Sequence, residues 1–110
     1  MKDYKEFRLV KNLSSKMLIE NGLRSYGFDY YVLEKYCRSN MIKIKIYIDI
    51  NSGELTYDVI DVNTGSFYHQ FYQGDVINNL VVKKLVEDLD KIINSLVQKK
   101  ILYKRTAKNK

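Results

Sequence analysis

Residues 41–50 read MIKIKIYIDI, with isoleucine at 42, 44, 46, 48 and 50. A spacing of two puts all five on one side of an extended strand and sets Lys43, Lys45, Tyr47 and Asp49 on the other. A row of exposed isoleucines would invite aggregation, so the aliphatic side is expected to form one wall of the core. Any partner would then meet the opposite side.

Two turn signals follow, Asn51-Ser52-Gly53 and Asn63-Thr64-Gly65, and both favour tight hairpins with glycine in the left-handed region. They delimit two further strands, over 54–62 and 66–72. The register of the first hairpin stays open. A three-residue bulged loop pairs Ile50 with Glu54 and sets Thr56, Asp58, Ile60 and Val62 beside the isoleucines; a four-residue loop sets Leu55, Tyr57 and Val59 there instead. A slip of one residue reverses every side chain. Turn chemistry favours the first register, and the hydrophobic pattern favours the second. On the N-terminal side, FDYYVLEKYC at 28–37 reads as a strand from its Tyr and Val content, with a helix as the competing reading, and Arg38-Ser39-Asn40 reads as a turn.

Helical spacing flanks these strands. Between Lys5 and Asn21, apolar residues fall at Phe7, Val10, Leu13, Met17 and Leu18, and Gly22 suits a helix C-terminus. Ser14 and Ser15 offer an alternative start for a shorter helix running to about Ser25. Asp75 is a suitable N-cap for a long amphipathic helix with a stripe of Ile77, Leu80, Val81, Leu85, Leu89, Ile92, Ile93 and Leu96. The predicted fold is α+β: an N-terminal helix, a four-stranded antiparallel meander and a long C-terminal helix packed on one sheet face.

With 110 residues the chain is expected to be one domain that buries roughly two thirds of its unfolded surface. Its charge is uneven. Of the 19 basic residues, Lys99, Lys100, Lys104, Arg105, Lys108 and Lys110 account for the whole formal excess of +6, and no acid follows Asp90. We therefore divide the chain into a balanced domain over 1–98 and a basic C-terminal tail over 99–110. Lys99, Lys100, Lys104, Arg105 and Lys108, with Tyr103 among them, are candidates to neutralise phosphates and so hold nucleic acid without reading its sequence. The competing reading is a solvated terminus. A second candidate surface is Lys43, Lys45 and Tyr47 with Tyr68 and Tyr72 of the last predicted strand. Aromatics mixed with lysines on a sheet can stack bases, and they can equally anchor a protein interface, where tyrosine is enriched.

Catalytic signatures are missing from the sequence. His69 and Cys37 are the only histidine and cysteine, and 32 positions apart they give no ligand spacing and no nucleophile–base arrangement. A disulfide within one chain is excluded, and neither GxGxxG nor GxxxxGK[ST] matches. A non-enzyme is expected, with no cofactor and no metal. No apolar run approaches the ~18 residues of a membrane span and the N-terminus is charged, so a cytoplasmic protein with no membrane partner is expected. The order helix, strands, helix is shared with the double-stranded RNA-binding domain, but here there is an extra strand. The basic motif that opens that domain's last helix is missing, and KKLVED at 83–88 lies too far inside; no family is assigned.

The first expected function is a small non-catalytic binding protein that engages a nucleic acid or nucleoprotein through the tail and the Tyr/Lys sheet face. The alternative rests on small size and on a composition rich in Lys, Asn, Ile and Tyr, with one alanine, as AT-rich coding produces. It is a phage or mobile-element inhibitor, of the antirestriction or anti-CRISPR type, that blocks a host nuclease by direct binding. Homodimerisation through the C-terminal helix is a further expectation, with Val82, Leu85, Leu89, Ile92 and Leu96 as a coiled-coil seam.

Overall fold

The computed structural model describes residues 3–72 and 80–105. The isoleucine strand, β4 (Ile42–Asp49), sits inside a four-stranded sheet with β2 (Arg24–Tyr26), β3 (Tyr30–Cys37) and β5 (Leu55–Asp61). The order is β2-β3-β4-β5 with every neighbour antiparallel, so this sheet is a meander. Burial along β4 alternates as its period of two requires: Ile42, Ile44, Ile46 and Ile48 are buried, and the residues between are half-buried. Ile50 does not continue the row. It lies in the turn, its amide donates to the Asp29 carbonyl at 2.8 Å, and its side chain is 39% exposed.

The hairpin after β4 adopts the register that the hydrophobic pattern favours. Ile48 pairs with Leu55, Ile46 with Tyr57 and Ile44 with Val59, leaving four residues beyond the Asp49–Glu54 pair. The Asp49 carboxylate secures this longer loop by accepting from the amides of Asn51 at 2.8 Å and Ser52 at 3.1 Å. An Asx-type turn thus outweighs the bulged alternative.

Long helix α3 (Leu80–Gln98) covers the isoleucine side. Val82, Leu85, Leu89, Ile93 and Leu96 are buried in one cluster with the four β4 isoleucines, Val59 and Leu33. Leu80 and Val81, placed on the stripe by spacing, are exposed, so the stripe begins at Val82. The expected cap Asp75 and stripe residue Ile77 lie outside the described residues. The proposed coiled-coil seam is consumed by this packing: Val82, Leu85, Leu89 and Leu96 face the protein's own sheet, and Ile92 packs against the same core. Dimerisation through that stripe would require exposing the core.

Three further corrections concern the two ends of the chain and the segment after β5. The N-terminal helix, α1 (Ser15–Glu20), is shorter than the Lys5–Asn21 spacing suggests. It is capped by Ser14, whose hydroxyl accepts from the Met17 amide at 3.1 Å. Phe7–Leu9 instead forms strand β1, paired antiparallel with β6 (Leu102–Lys104) in a separate two-stranded sheet. Consequently the supposed tail is folded through Lys104, with Ile101 and Leu102 fully buried. Finally, the segment 66–72 is not the fourth strand. One bridge joins Phe67 to Ile60, after which the chain turns into α2 (His69–Tyr72). The Tyr72 hydroxyl accepts the Val59 amide at 2.9 Å, occupying a donor that another strand would have used. The fourth strand is β2, on the opposite edge.

Candidate functional site

The register defines the sheet face opposite α3, which no helix or strand among the described residues covers. Arg24 and Tyr26 of β2, Tyr30, Val32, Glu34 and Tyr36 of β3, Lys43, Lys45, Tyr47 and Asp49 of β4, and Thr56, Asp58 and Ile60 of β5 share it. It is aromatic and open: Tyr26 is 51% exposed and Tyr36 56%. Next to it, at the tip of the β2–β3 hairpin, Phe28 is 99% exposed.

The lysines of this face are held in place. Glu34 bridges both of them, at 3.7 Å from Lys43 Nζ and 3.8 Å from Lys45 Nζ. Lys43 also sits over the Tyr36 ring at 5.8 Å, and Lys45 lies 5.6 Å from the Tyr26 ring and 5.5 Å from that of Tyr47. Such cation–π contacts leave an ammonium partly satisfied by the ring quadrupole. A hydrogen bond to the Tyr47 hydroxyl, with the nearby Glu34 carboxylate, raises the Lys45 pKa above its ordinary value. Burial raises that of Tyr47, with Asp58 adding to it and Lys45 opposing it. Tyr26 and Tyr47 themselves pack at 5.5 Å between centroids. By register, three cations on this face (Arg24, Lys43, Lys45) meet three carboxylates (Glu34, Asp49, Asp58).

Lys43, Lys45 and Tyr47 are therefore brought together as the alternation predicts, but Tyr68 and Tyr72 do not extend their row. Tyr72 packs its ring against Phe67 and Phe71 and turns its hydroxyl to the β5 edge. The Tyr68 hydroxyl donates to Gln70 at 2.8 Å, and its side chain borders a different groove with Arg38, Met41 and Asp61. Tyr26, Tyr30, Tyr36 and Phe28 are the residues missed. The four-residue turn between Cys37 and Ile42 carries the missing information, because it fixes which β3 side chains stand beside Lys43 and Lys45.

The tail candidates are held elsewhere. Lys99 and Lys100 close α3, Tyr103 stands opposite Arg8 in the β1–β6 ladder, Lys104 pairs with Glu6 at 3.4 Å, and the Arg105 amide donates to the Glu6 carbonyl at 2.7 Å. Lys108 lies outside the described residues. Tyr103 borders a groove with Tyr31, which the register places on the isoleucine side, and with Ile50 of the turn. Lys43, Lys45 and Tyr47 do not line this groove, so the two predicted contact regions use different residues.

Cys37 is half-buried and its thiol pKa is raised, first by burial and then by Asp88, which disfavours the nucleophilic thiolate. His69 is exposed on α2. Among the described residues, no group of three or more His, Cys, Asp or Glu side chains is placed to hold a metal ion.

No protein-family model matches the sequence, and no curated protein is similar to it. A solved structure of a DUF1831 family protein from Lactobacillus plantarum is similar in fold, with a TM-score of 0.56 over 88% of this chain and 84% of that one, at 14% sequence identity. At that identity the likeness shows a shared α+β architecture alone. No helix among the described residues is long and apolar enough to cross a membrane.

Proposed function

We propose that the protein is a non-catalytic binding protein whose working surface is the uncovered tyrosine-rich sheet face, and that its partner there is another protein. One observation carries this reading: Tyr26 and Tyr36 are half-exposed on a face where Glu34 contacts both Lys43 and Lys45, and where Asp49 and Asp58 bring three cations and three carboxylates into formal balance. A nucleic acid is held mainly by uncompensated cations, so a charge-balanced face has little to offer phosphates. Large rigid rings with polar tips, ringed by paired charges, suit the centre of a protein interface, where tyrosine is enriched and unpaired charge is costly. The partner surface would be apolar, with acceptors for the tyrosine hydroxyls. A host nuclease, the partner expected for an inhibitor, would be one protein of this kind.

The test is affinity capture with the full chain beside its Tyr36→Ala and Tyr26→Ala variants, with and without nuclease digestion of the extract. The reading expects a polypeptide that survives digestion and is lost with either variant, at a cost of about 2 kcal/mol or more in a direct titration. Recovery of nucleic acid alone, unaffected by both substitutions, would refute it.

A further inference from the structure

A second candidate site lies at the turn that follows β4, lined by residues other than those of the sheet face. The turn that joins β4 to β5 is clipped to β1, where the Leu9 amide donates to the Gly53 carbonyl at 3.0 Å. Gly53 permits this approach: its φ is +76°, and a Cβ there would stand 3.2 Å from the Leu9 nitrogen. Between this turn, the loop that follows β1 and strand β6 runs a groove of about 400 Å³. Leu18 and Ile50 give it apolar walls, Tyr31 and Tyr103 border it with their rings, and Arg8 and Lys11 supply positive charge. Among the described residues, no carboxylate lines it.

Of the two cations, Arg8 is paired much as the sheet-face lysines are, whereas Lys11 stands at the rim. Arg8 donates to the Phe7 carbonyl at 2.8 Å and to that of Lys5, and it meets Glu54 at 3.6 Å, so its guanidinium is fixed at the wall. Lys11 is exposed at the rim in the turn closed by Asn12, whose φ is +66°. Beyond the end of the ladder, the Val10 amide donates to the Ile101 carbonyl at 2.9 Å, which holds the start of this loop against β6. A groove of mixed polar and apolar lining, with Tyr31 and Tyr103 on it and Lys11 at its rim, can take a flat ring that carries a phosphate. Its volume lies in the range of small-ligand clefts, roughly 300–1,000 Å³.

We infer that this groove binds a nucleotide, its base against Tyr103 beside Tyr31 and its phosphate toward Lys11 at the rim. The nucleotide comes either free or as one unit of a single strand, and the two sources share the same chemistry.

The test titrates the full chain with AMP, with a short single-stranded oligonucleotide and with inorganic phosphate, following the groove by amide chemical shifts. Binding of AMP or of the strand, with shifts centred on Arg8, Lys11 and Tyr103, is expected. Tyr103→Ala should weaken it about tenfold, by loss of one stacking ring, while Tyr103→Phe keeps it. Lys11→Ala should lower the salt slope by about one. Tyr36→Ala, on the sheet face, should leave it unchanged, so this site and the protein-binding face fail separately. Equal affinity for AMP and the strand assigns the site to free nucleotides, and much tighter strand binding assigns it to nucleic acid. Overturning results are no binding of either, phosphate binding as tightly as AMP, or a folded Tyr103→Ala variant that binds like the wild type.

Discussion

Lys100 occupies a backbone position that lysine does not favour. It ends α3 with φ +64°, while its own amide donates to the Val97 carbonyl at 3.0 Å and the Ile101 amide to that of Leu96 at 2.9 Å. These two bonds form the paired closure in which glycine usually takes the left-handed residue. Lys100→Gly should therefore stabilise the protein by about 1 kcal/mol, read as a higher denaturant midpoint at unchanged slope. Tyr4 shows the opposite fit between residue and place. It is buried and donates its hydroxyl to Asp90 Oδ1 at 2.6 Å, tying the start of the chain to α3. Tyr4→Phe keeps the ring but loses a bond to a carboxylate, and it should cost about 1–2 kcal/mol in a denaturant titration. The sequence marks neither position as special, since the cap depends on where the helix stops and the bond spans 86 residues.

Among the elements, β6 departs furthest from its sequence reading. Lys99–Arg105 reads as charge because its cations outnumber its apolar residues, yet Ile101 and Leu102 are fully buried between α3 and β1. Truncation after Gln98 should cost about 3 kcal/mol or more, from two aliphatic side chains at roughly 1.5–3 kcal/mol each. The measurement is thermal unfolding of the truncated chain; an unchanged melting temperature would mean that the ladder contributes nothing. The same truncation removes Tyr103, so nucleotide binding is better tested with the point variant. β1 was hidden for a related reason: Phe7 and Val10 keep helical spacing, and strand pairing prevails only because the partner arrives from the other end of the chain. In 66–72 the edge of β5 is closed by a side-chain hydroxyl, an outcome that no two-residue period encodes.

At the scale of the whole molecule, the two exposed regions differ in electrostatics, and this predicts how salt will act on each. Binding at the charge-balanced sheet face should change little as salt rises, whereas nucleotide-strand binding at the groove should weaken by a few-fold between about 50 and 200 mM salt as counterions are released at one or two phosphates. Titrations at two salt concentrations compare them directly. The buried tyrosines set an alkaline limit on the fold. Burial, helped by Tyr72, pushes the Tyr57 phenol up to about 12, and burial with Asp90 raises Tyr4 as well. A folded-state pKa above the unfolded value favours the neutral phenol in the fold. The corresponding stability is complete below about pH 10 and is lost as pH rises from there toward 12. The denaturant midpoint should fall above about pH 10, and Tyr57→Phe should flatten that fall.

By itself, the sequence determined the buried side of β4, the residues that alternate with it, the α+β class and the long covering helix. Each of these is a local periodicity, and burial of a repeating apolar face leaves its trace within a few neighbouring residues. Only the tertiary structure decided that Tyr26 and Tyr36 join Lys43 and Lys45, that Tyr68 and Tyr72 do not, and that Tyr103 opens onto a different groove. Those relations depend on register and on pairing between distant segments. Shifting a strand by one residue, or closing a ladder between residues 7 and 104, changes what meets solvent while leaving the local pattern as it was.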